Sequence, residues 1–221
     1  MVRKHAVLSA SSAARWIACP PSARLNAEKS DTPSEYAAQG TDAHTLCEYK
    51  LRKALGERVR DPTKNLASYD SEMEECAEAY CQFVMELVSQ FRAESKDTMV
   101  SVEQRVDFSA FVPEGFGTAD TLVISGKTVC IVDYKHGKGI EISADHNPQM
   151  MCYALGCIQM FDGLYDIDHV RMVIFQPRLA NISEFSISKA DLLAWAADTL
   201  VPAAKLAHAG EGEFCAGTHC Q

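Results

Sequence analysis

Two strand-like runs joined by a two-residue turn fix the middle of this chain more tightly than any other feature. Gly117 to Ile124 and Thr128 to Tyr134 are rich in β-branched residues, and Ser125-Gly126-Lys127 lies between them. A Gly126-Lys127 loop, with glycine first, is a favoured hairpin turn, so Ser125 should pair with Thr128. Every further pair then has the same index sum, and Asp120 falls opposite Asp133. Lys135, two residues on, projects from the face that carries Asp133. The rest of the hairpin is apolar on both faces: Leu122, Ile124, Val129 and Ile131 on one, Val123, Cys130 and Val132 on the other. Charges set into such a doubly covered strand pair need a reason. Like charges opposed across a ladder repel. A divalent cation between them removes that penalty, and carboxylate oxygens suit magnesium or manganese.

The segments around the hairpin set the fold class. Ser9 to Ala27 predicts a short helix, with N-caps offered by Ser9, Ser11 and Ser12 and an interruption at Pro20-Pro21. A second helix should run from about Tyr36 to Leu55 and stop at Gly56, followed by a polar connection over 61–69. From about Asp70 to Ala93 the apolar residues recur at helical spacing with acids on the opposite face. The period then becomes that of strands over 100–108, 117–124, 128–134, 169–176 and 182–187. A helix over about 148–160, with Asn147 as N-cap and Pro148 at its first position, interrupts them. Another closes the domain over about 189–209. The expectation is an α/β (α+β mixed) fold: a central mixed β-sheet flanked by helices, preceded by an N-terminal helical segment. At 221 residues it should form a single domain, mainly helical over 1–97, with the sheet and its helices over 98–209 and a cysteine-containing tail over 210–221.

With 47% hydrophobic and 23% charged residues, the composition is that of an ordinary globular protein. No apolar run approaches the roughly 18–20 residues of a membrane span, and no signal-peptide core is evident, so no membrane partner and a cytoplasmic location are expected. Nine cysteines, an odd count without a secretory signal, read as reduced thiols or ligands. The net charge of −9 argues against a protein that coats nucleic acid by bulk electrostatics. An enzyme that meets DNA at one groove is compatible with it. Residues 127–140 hold Lys127, Lys135 and Lys138 against Asp133 alone, so a local basic patch coincides with the acidic site.

Metal-assisted phosphodiester cleavage needs acidic ligands, a water activated beside the ion, and a cation to offset charge on the phosphoryl oxygens. Asp120, Asp133 and Lys135 supply these on one hairpin. Gln149 and Tyr153, four apart at the start of the next helix, share a face. So do His44 and Glu48 in Gly40-Thr-Asp-Ala-His44-Thr-Leu-Cys-Glu48. Each pair alone also reads as an ordinary packed or solvated helix face.

The order Gly-Thr-x-x-His, Gly-x-x-Asp, Asp-x-Lys, Gln-x-x-x-Tyr resembles that of RecB-type nucleases of the PD-(D/E)XK superfamily, which include CRISPR-associated exonucleases and phage recombination nucleases. His5-Ala-Val-Leu-Ser-Ala-Ser-Ser and Asp133-Tyr-Lys-His-Gly-Lys-Gly are similar to a phage- and prophage-associated branch built on an uncharacterised domain. The likeness spans about Ala6 to Cys220. It implies a restriction-endonuclease-like core and a Mg²⁺ or Mn²⁺ ion held by His44, Asp120, Asp133 and the backbone carbonyl of Tyr134. It also implies Lys135 as catalytic lysine, with Gln149 and Tyr153 supporting the site and the DNA strand and Lys138 contacting DNA. His44 should matter to such a site where the other upstream histidine, His5, should not, and activity should fall as the His44 ring protonates near pH 6.

The same likeness places Cys19, in Trp16-Ile-Ala-Cys19-Pro20, at the first cluster cysteine of the iron–sulfur members, and Cys215 and Cys220 at the start of their C-terminal group. A [4Fe–4S] cluster usually takes four thiolates. The pattern expects a further cysteine beyond Gln221, so the tail reads as shortened. Zinc, with His219, is the other metal such a tail could take. Cys47, Cys76, Cys81, Cys130, Cys152 and Cys157 read as small buried hydrophobes. The expected function is thus a Mg²⁺- or Mn²⁺-dependent DNA nuclease, an exonuclease of phage recombination or repair, with DNA and phage recombination or replication proteins as partners. Two other classes stay open: a catalytically weak DNA- or partner-binding module on the same fold, and a structural metal or iron–sulfur protein.

Overall fold

The computed structural model describes residues 6–27 and 34–220; His5 lies outside them. Five strands form one sheet in the order β1-β2-β3-β4-β5: β1 Met99–Asp107, β2 Phe116–Ser125, β3 Thr128–Tyr134, β4 His169–Gln176 and β5 Asn181–Ser188. Pairing is antiparallel except between β3 and β4, which run parallel and are joined through a helix. The expected mixed sheet is what forms. Ser125 pairs with Thr128, and Gly126 takes a φ of +55° in the turn, so the hairpin register follows from the turn as argued.

Helices cover both faces. On one side lie α3 (Glu35–Ala54) and α4 (Ser71–Glu94), started by the side chains of Ser34 and Asp70, which accept the amides of Ala37 and Met73. Leu46, Leu51, Met73, Tyr80 and Val84 from these helices meet Val123, Cys130, Val132 and Tyr134 from the sheet. On the other side lies α5 (Pro148–Tyr165), the β3–β4 crossover, whose Asn147 cap accepts two amides. It packs on Leu122, Ile124, Val129 and Ile131 together with short N- and C-terminal helices. The sheet thus separates two cores with the side-chain division expected of the hairpin. Among the described residues no helix is long and apolar enough to cross a membrane.

Three segments differ from the sequence reading. Ser9 to Ala27 forms a 3₁₀ turn (Ala10–Ser12), α1 (Ala13–Ala18) and α2 (Ser22–Ala27), broken at Pro20-Pro21, but neither Ser9 nor Ser12 caps a helix through its side chain. The hydroxyls bond one another instead, Ser9 to Ser12 at 2.8 Å and to Ser11 at 3.2 Å. α5 continues to Tyr165, closed by Asp166 in the left-handed region and by the Asp162 carboxylate, which accepts the amide of Ile167. The last helix divides into α6 (Lys189–Trp195) and α7 (Val201–Ala209) around a π-helical turn over Ala196–Leu200. Pro202 has no amide to give the preceding turn, which widens the helix there.

β1 and β2 change faces midway. Val102 packs with α3 and α4, whereas Val106 packs in the α5 core; likewise Val123 belongs to the first and Ala119 to the second. Residues an even number apart on a regular strand share a face, so the alternation must break between them. Glu103 and Asp120, the positions that would face each other in this register, are missing from the ladder, and Glu103 has a φ of +52°. Beside the break, Thr121 and Tyr80 are fully buried and joined by a 2.7 Å hydroxyl–hydroxyl bond. Thr121→Val should therefore lower stability in a urea titration by roughly 1–3 kcal/mol, the cost of an orphaned buried hydroxyl, and adding Tyr80→Phe should restore part of it.

Candidate functional site

The site forms where β2 and β3 part. Their ladder ends at Thr121 opposite Val132, so Asp120 and Asp133 are not a ladder pair despite their matching indices. Asp120 turns its Oδ2 to accept the amide of Tyr134 at 2.7 Å, and its Oδ1 lies 3.2 Å from Nδ1 of His44 on α3. Asp133, on the α5 side, has Oδ1 accepting from Nε2 of Gln149 at 3.0 Å and Oδ2 at 2.9 Å from Nζ of Lys135. Gln149 also accepts from Lys135 at 3.0 Å and donates to the Tyr153 hydroxyl at 3.1 Å. One amide side chain thus ties the acid, the lysine and the tyrosine together, which is why Gln149 and Tyr153 must share a helical face. Gly117 is required here, because a Cβ at that position would come within 2.7 Å of the Tyr153 ring.

A residue that the alternation hides completes the group. His44, Glu103 and Asp120 each offer a ligand atom, and these atoms lie within 4.8 Å of one another; among the described residues they are the group suited to a metal ion. In Val100-Ser-Val-Glu103-Gln-Arg-Val, Glu103 occupies the polar phase of an ordinary strand and reads as solvent-facing. Only the β1–β2 register would reveal it, and the connection between those strands, residues 108–115, has no short turn to fix that register. Asp133 stands outside this trio, engaged by Lys135 and Gln149, and Tyr134 contributes its amide to Asp120.

Burial sharpens the electrostatics. Burial opposes a charge on His44, but Asp120 outweighs it and raises the ring to about 9. Burial, then the charge of Asp120, pushes Glu103 up to about 7. Asp133 is held above the ordinary carboxylate range by burial, against the pull of Lys135 and with the push of Asp120. Burial disfavours the Lys135 ammonium, yet Asp133 keeps it raised. The Asp133 Oδ2 is buried without an aligned hydrogen bond: Lys135 is near enough for an ion pair but is off the hydrogen-bonding direction. Three crowded acids and an orphaned carboxylate oxygen are a donor set that fits a hard divalent cation. In the ion-free protein the His44 ring is thus raised above the pH-6 range of a free imidazole.

Other sequence candidates separate. Lys138 lies in the exposed loop after β3 and makes no hydrogen bond or ion pair among the described residues. Lys127 sits at the far end of the hairpin, held by Asp166 and Asp168 at 2.9 Å each, so the basic patch counted along residues 127–140 is split in space. Glu48 pairs with Arg52. The termini do meet: the Cys215 amide lies 3.4 Å from the Cys19 sulfur, while His219 and Cys220 both turn to the Cys215 carbonyl. Yet Cys19, Cys215, Cys220 and His219 supply no three ligand atoms within the spacing that the His44 group achieves.

The family described as "Protein of unknown function (DUF2800)" matches residues 5–221. The chain belongs to that family. A solved structure, "Crystal structure of SSO0001", is 18% identical over 73% of this chain and 86% of that one, with a TM-score of 0.24, a likeness too slight to carry an argument.

The strain at Glu103 yields a prediction for this DUF2800 member. Left-handed backbone costs a non-glycine residue about 1–2 kcal/mol, so Glu103→Gly should stabilise the metal-free protein by up to about 1 kcal/mol in urea denaturation. Calorimetric titration should show weaker Mn²⁺ binding in the same variant. Unchanged Mn²⁺ affinity would remove Glu103 from the ligand set.

Proposed function

We propose that the chain is a divalent-metal-dependent nuclease that hydrolyses phosphodiester bonds in DNA. One observation carries this reading: a carboxylate–imidazole cluster and a buried lysine–carboxylate pair meet at the parted ends of two paired strands. The first can hold a cation and the second can place a positive charge beside it. A structural ion site would need the acids but not the lysine.

His44, Glu103 and Asp120 would hold the ion, with Asp133 beside them. A bound magnesium or manganese ion supplies Lewis acidity and a water of lowered pKa. Asp120 is oriented by the Tyr134 amide, so its free lone pairs are aimed before any ion arrives. Lys135 faces the same opening and offsets charge gathering on the phosphoryl oxygens as the bond breaks. Gln149 holds Lys135 and Asp133 at fixed separation, and Tyr153 braces Gln149. The setting in phage recombination or repair, and an exonucleolytic mode, rest on the motif order and on the segments at 5–12 and 133–139 that flank it.

End-labelled single- and double-stranded DNA, incubated with and without Mg²⁺ or Mn²⁺, tests the reading: metal-dependent cleavage is expected, with product shortening from the labelled ends if the action is exonucleolytic. Lys135→Ala should lower the cleavage rate by about 10²-fold or more while Mn²⁺ binding persists. Absence of cleavage by the wild-type protein under all conditions would leave a binding module on this fold.

A pH prediction follows from His44. An ion must displace the ring proton that Asp120 stabilises up to about pH 9 and, below about pH 7, the Glu103 proton as well, so Mn²⁺ affinity should climb with pH, by up to about tenfold per unit above 7 and more steeply below it, and level off only near 9. In His44→Ala that proton-linked slope should shrink. A wild-type affinity already flat above pH 7 would show that the ring is not a ligand.

A further inference from the structure

A cavity of about 830 Å³ opens among the N-terminal 3₁₀ turn, α1 and α2, with His219 of the tail among its walls. The net charge of the chain is −9, yet no aspartate or glutamate lines it among the described residues. Ser9, Ser11, Ser12, Asn26 and Arg15 are among its lining residues instead. The serines, released from helix capping, form one patch through their mutual contacts at 2.8 and 3.2 Å. Arg15, like Arg58, Arg60 and Arg92, makes no hydrogen bond or ion pair among the described residues, whereas Arg52, Arg171 and Arg178 each hold a glutamate. An unspent guanidinium beside rotatable hydroxyls and an amide is the donor set of a phosphate contact.

Its place relative to the site gives the phosphate a source. Ala10, in the same turn, packs where a Cβ on Gly117 would project, 3.6 Å away, beside the Tyr153 ring. Tyr153 reaches Asp133 through Gln149 alone. The turn that carries the cavity's serines therefore packs through Ala10, which is buried and is not among the cavity's lining residues, against the α5 flank of the site. We propose that the cavity binds a backbone phosphate of the nucleic-acid strand whose scissile phosphate lies at Asp120 and Lys135, a few nucleotides along. This assignment rests on the nuclease reading above. A strand gripped there would be held beside the site without placing further cations next to the metal acids.

The test is fluorescence anisotropy of the full chain with labelled oligothymidylate in EDTA, where no cleavage competes. Arg15→Gln should weaken binding about tenfold and reduce the slope of log K against log salt by about 0.7, the value for one phosphate of a single strand. Arg15→Lys should restore the slope, and Ser11→Ala with Ser12→Ala should weaken binding without changing it. Inorganic phosphate and thymidine monophosphate serve as free-ligand probes. Micromolar, Arg15-dependent binding of either, with oligonucleotide affinity unmoved in Arg15→Gln, would mean a free-phosphate site and overturn the strand assignment. Wild-type protein that binds and cleaves DNA while Arg15→Gln matches its affinity and slope overturns the cavity proposal and leaves the nuclease reading standing; wild type that neither binds nor cleaves overturns both.

Discussion

The bond from the Tyr134 amide to the Asp120 carboxylate is the constraint on which the site depends. In a regular hairpin that amide would pair with backbone, and Asp120 would sit in the ladder with its neighbours. Here the carboxylate replaces the backbone partner, so the amide stays satisfied while the strands part. The parted ends let α3 approach from one face and α5 from the other, and the two halves of the site meet across what would otherwise be a closed sheet. The reversal of faces in β1 belongs to the same event: Glu103 adopts a left-handed conformation at the position that would face Asp120, and its carboxylate joins the opening. Strain and an open ladder are costs that the two cores must offset, and both are packed with fully buried side chains.

Charge at this opening is balanced by near neighbours, not by solvent. His44 with Asp120 and Lys135 with Asp133 are each a cation against a carboxylate, so two of the three acids are neutralised in the ion-free protein. Glu103 is left over, and its raised proton affinity comes from burial first and then from the charge of Asp120. On the proposed metal-dependent reading, an arriving divalent ion would meet a competitor, the His44 proton, and an acid whose proton affinity is raised to about 7. The two pairs would then play different parts: the imidazole would yield its proton to make room, while the ammonium would stay.

How much of this could be read from the chain depends on the range of the interactions. Local rules served well: the Gly126-Lys127 turn fixed the β2–β3 register, Asn147 caps its helix as expected, and β3 and β4 begin and end at the residues where the strand pattern does. Short motifs brought His44, Asp120, Asp133, Lys135, Gln149 and Tyr153 into one neighbourhood. What alternation could not show was its own interruption. Glu103 sits in phase with a polar face, and nothing local distinguishes a carboxylate turned into the site from one turned to water. The serines at 9–12 misled for the opposite reason: they match a capping pattern, but the helix they precede begins in a 3₁₀ turn whose amides they do not take. Sequence counting of lysines over 127–140 also failed, because a hairpin places its turn and its strand ends at opposite edges, and Lys127 belongs to the turn.

The loop after β3 shows how the fold can present a glycine-rich segment without leaving it loose. Gln176, almost fully buried at the end of β4, donates to the carbonyls of Gly137 and Ile140 at 2.7 and 2.9 Å and accepts from the Ile142 amide at 3.1 Å. Arg178, on the following turn, holds Glu72 of α4 and the carbonyl of His136. β4 thus anchors both ends of a loop whose middle, Lys138 to Ile140, is exposed. Because β4 pairs with β3 in parallel, the residues that tie down the loop emerge at the same sheet edge as Asp133 and Lys135. That is the geometric consequence of placing a helix, not a turn, between those strands: a parallel crossover brings the ends of two strands, and the loops that leave them, to one side of the molecule. The hairpin supplies the acids, the break in β1 adds another, and the parallel strand provides the anchor that holds the exposed Lys138 loop at the sheet edge where the acids lie.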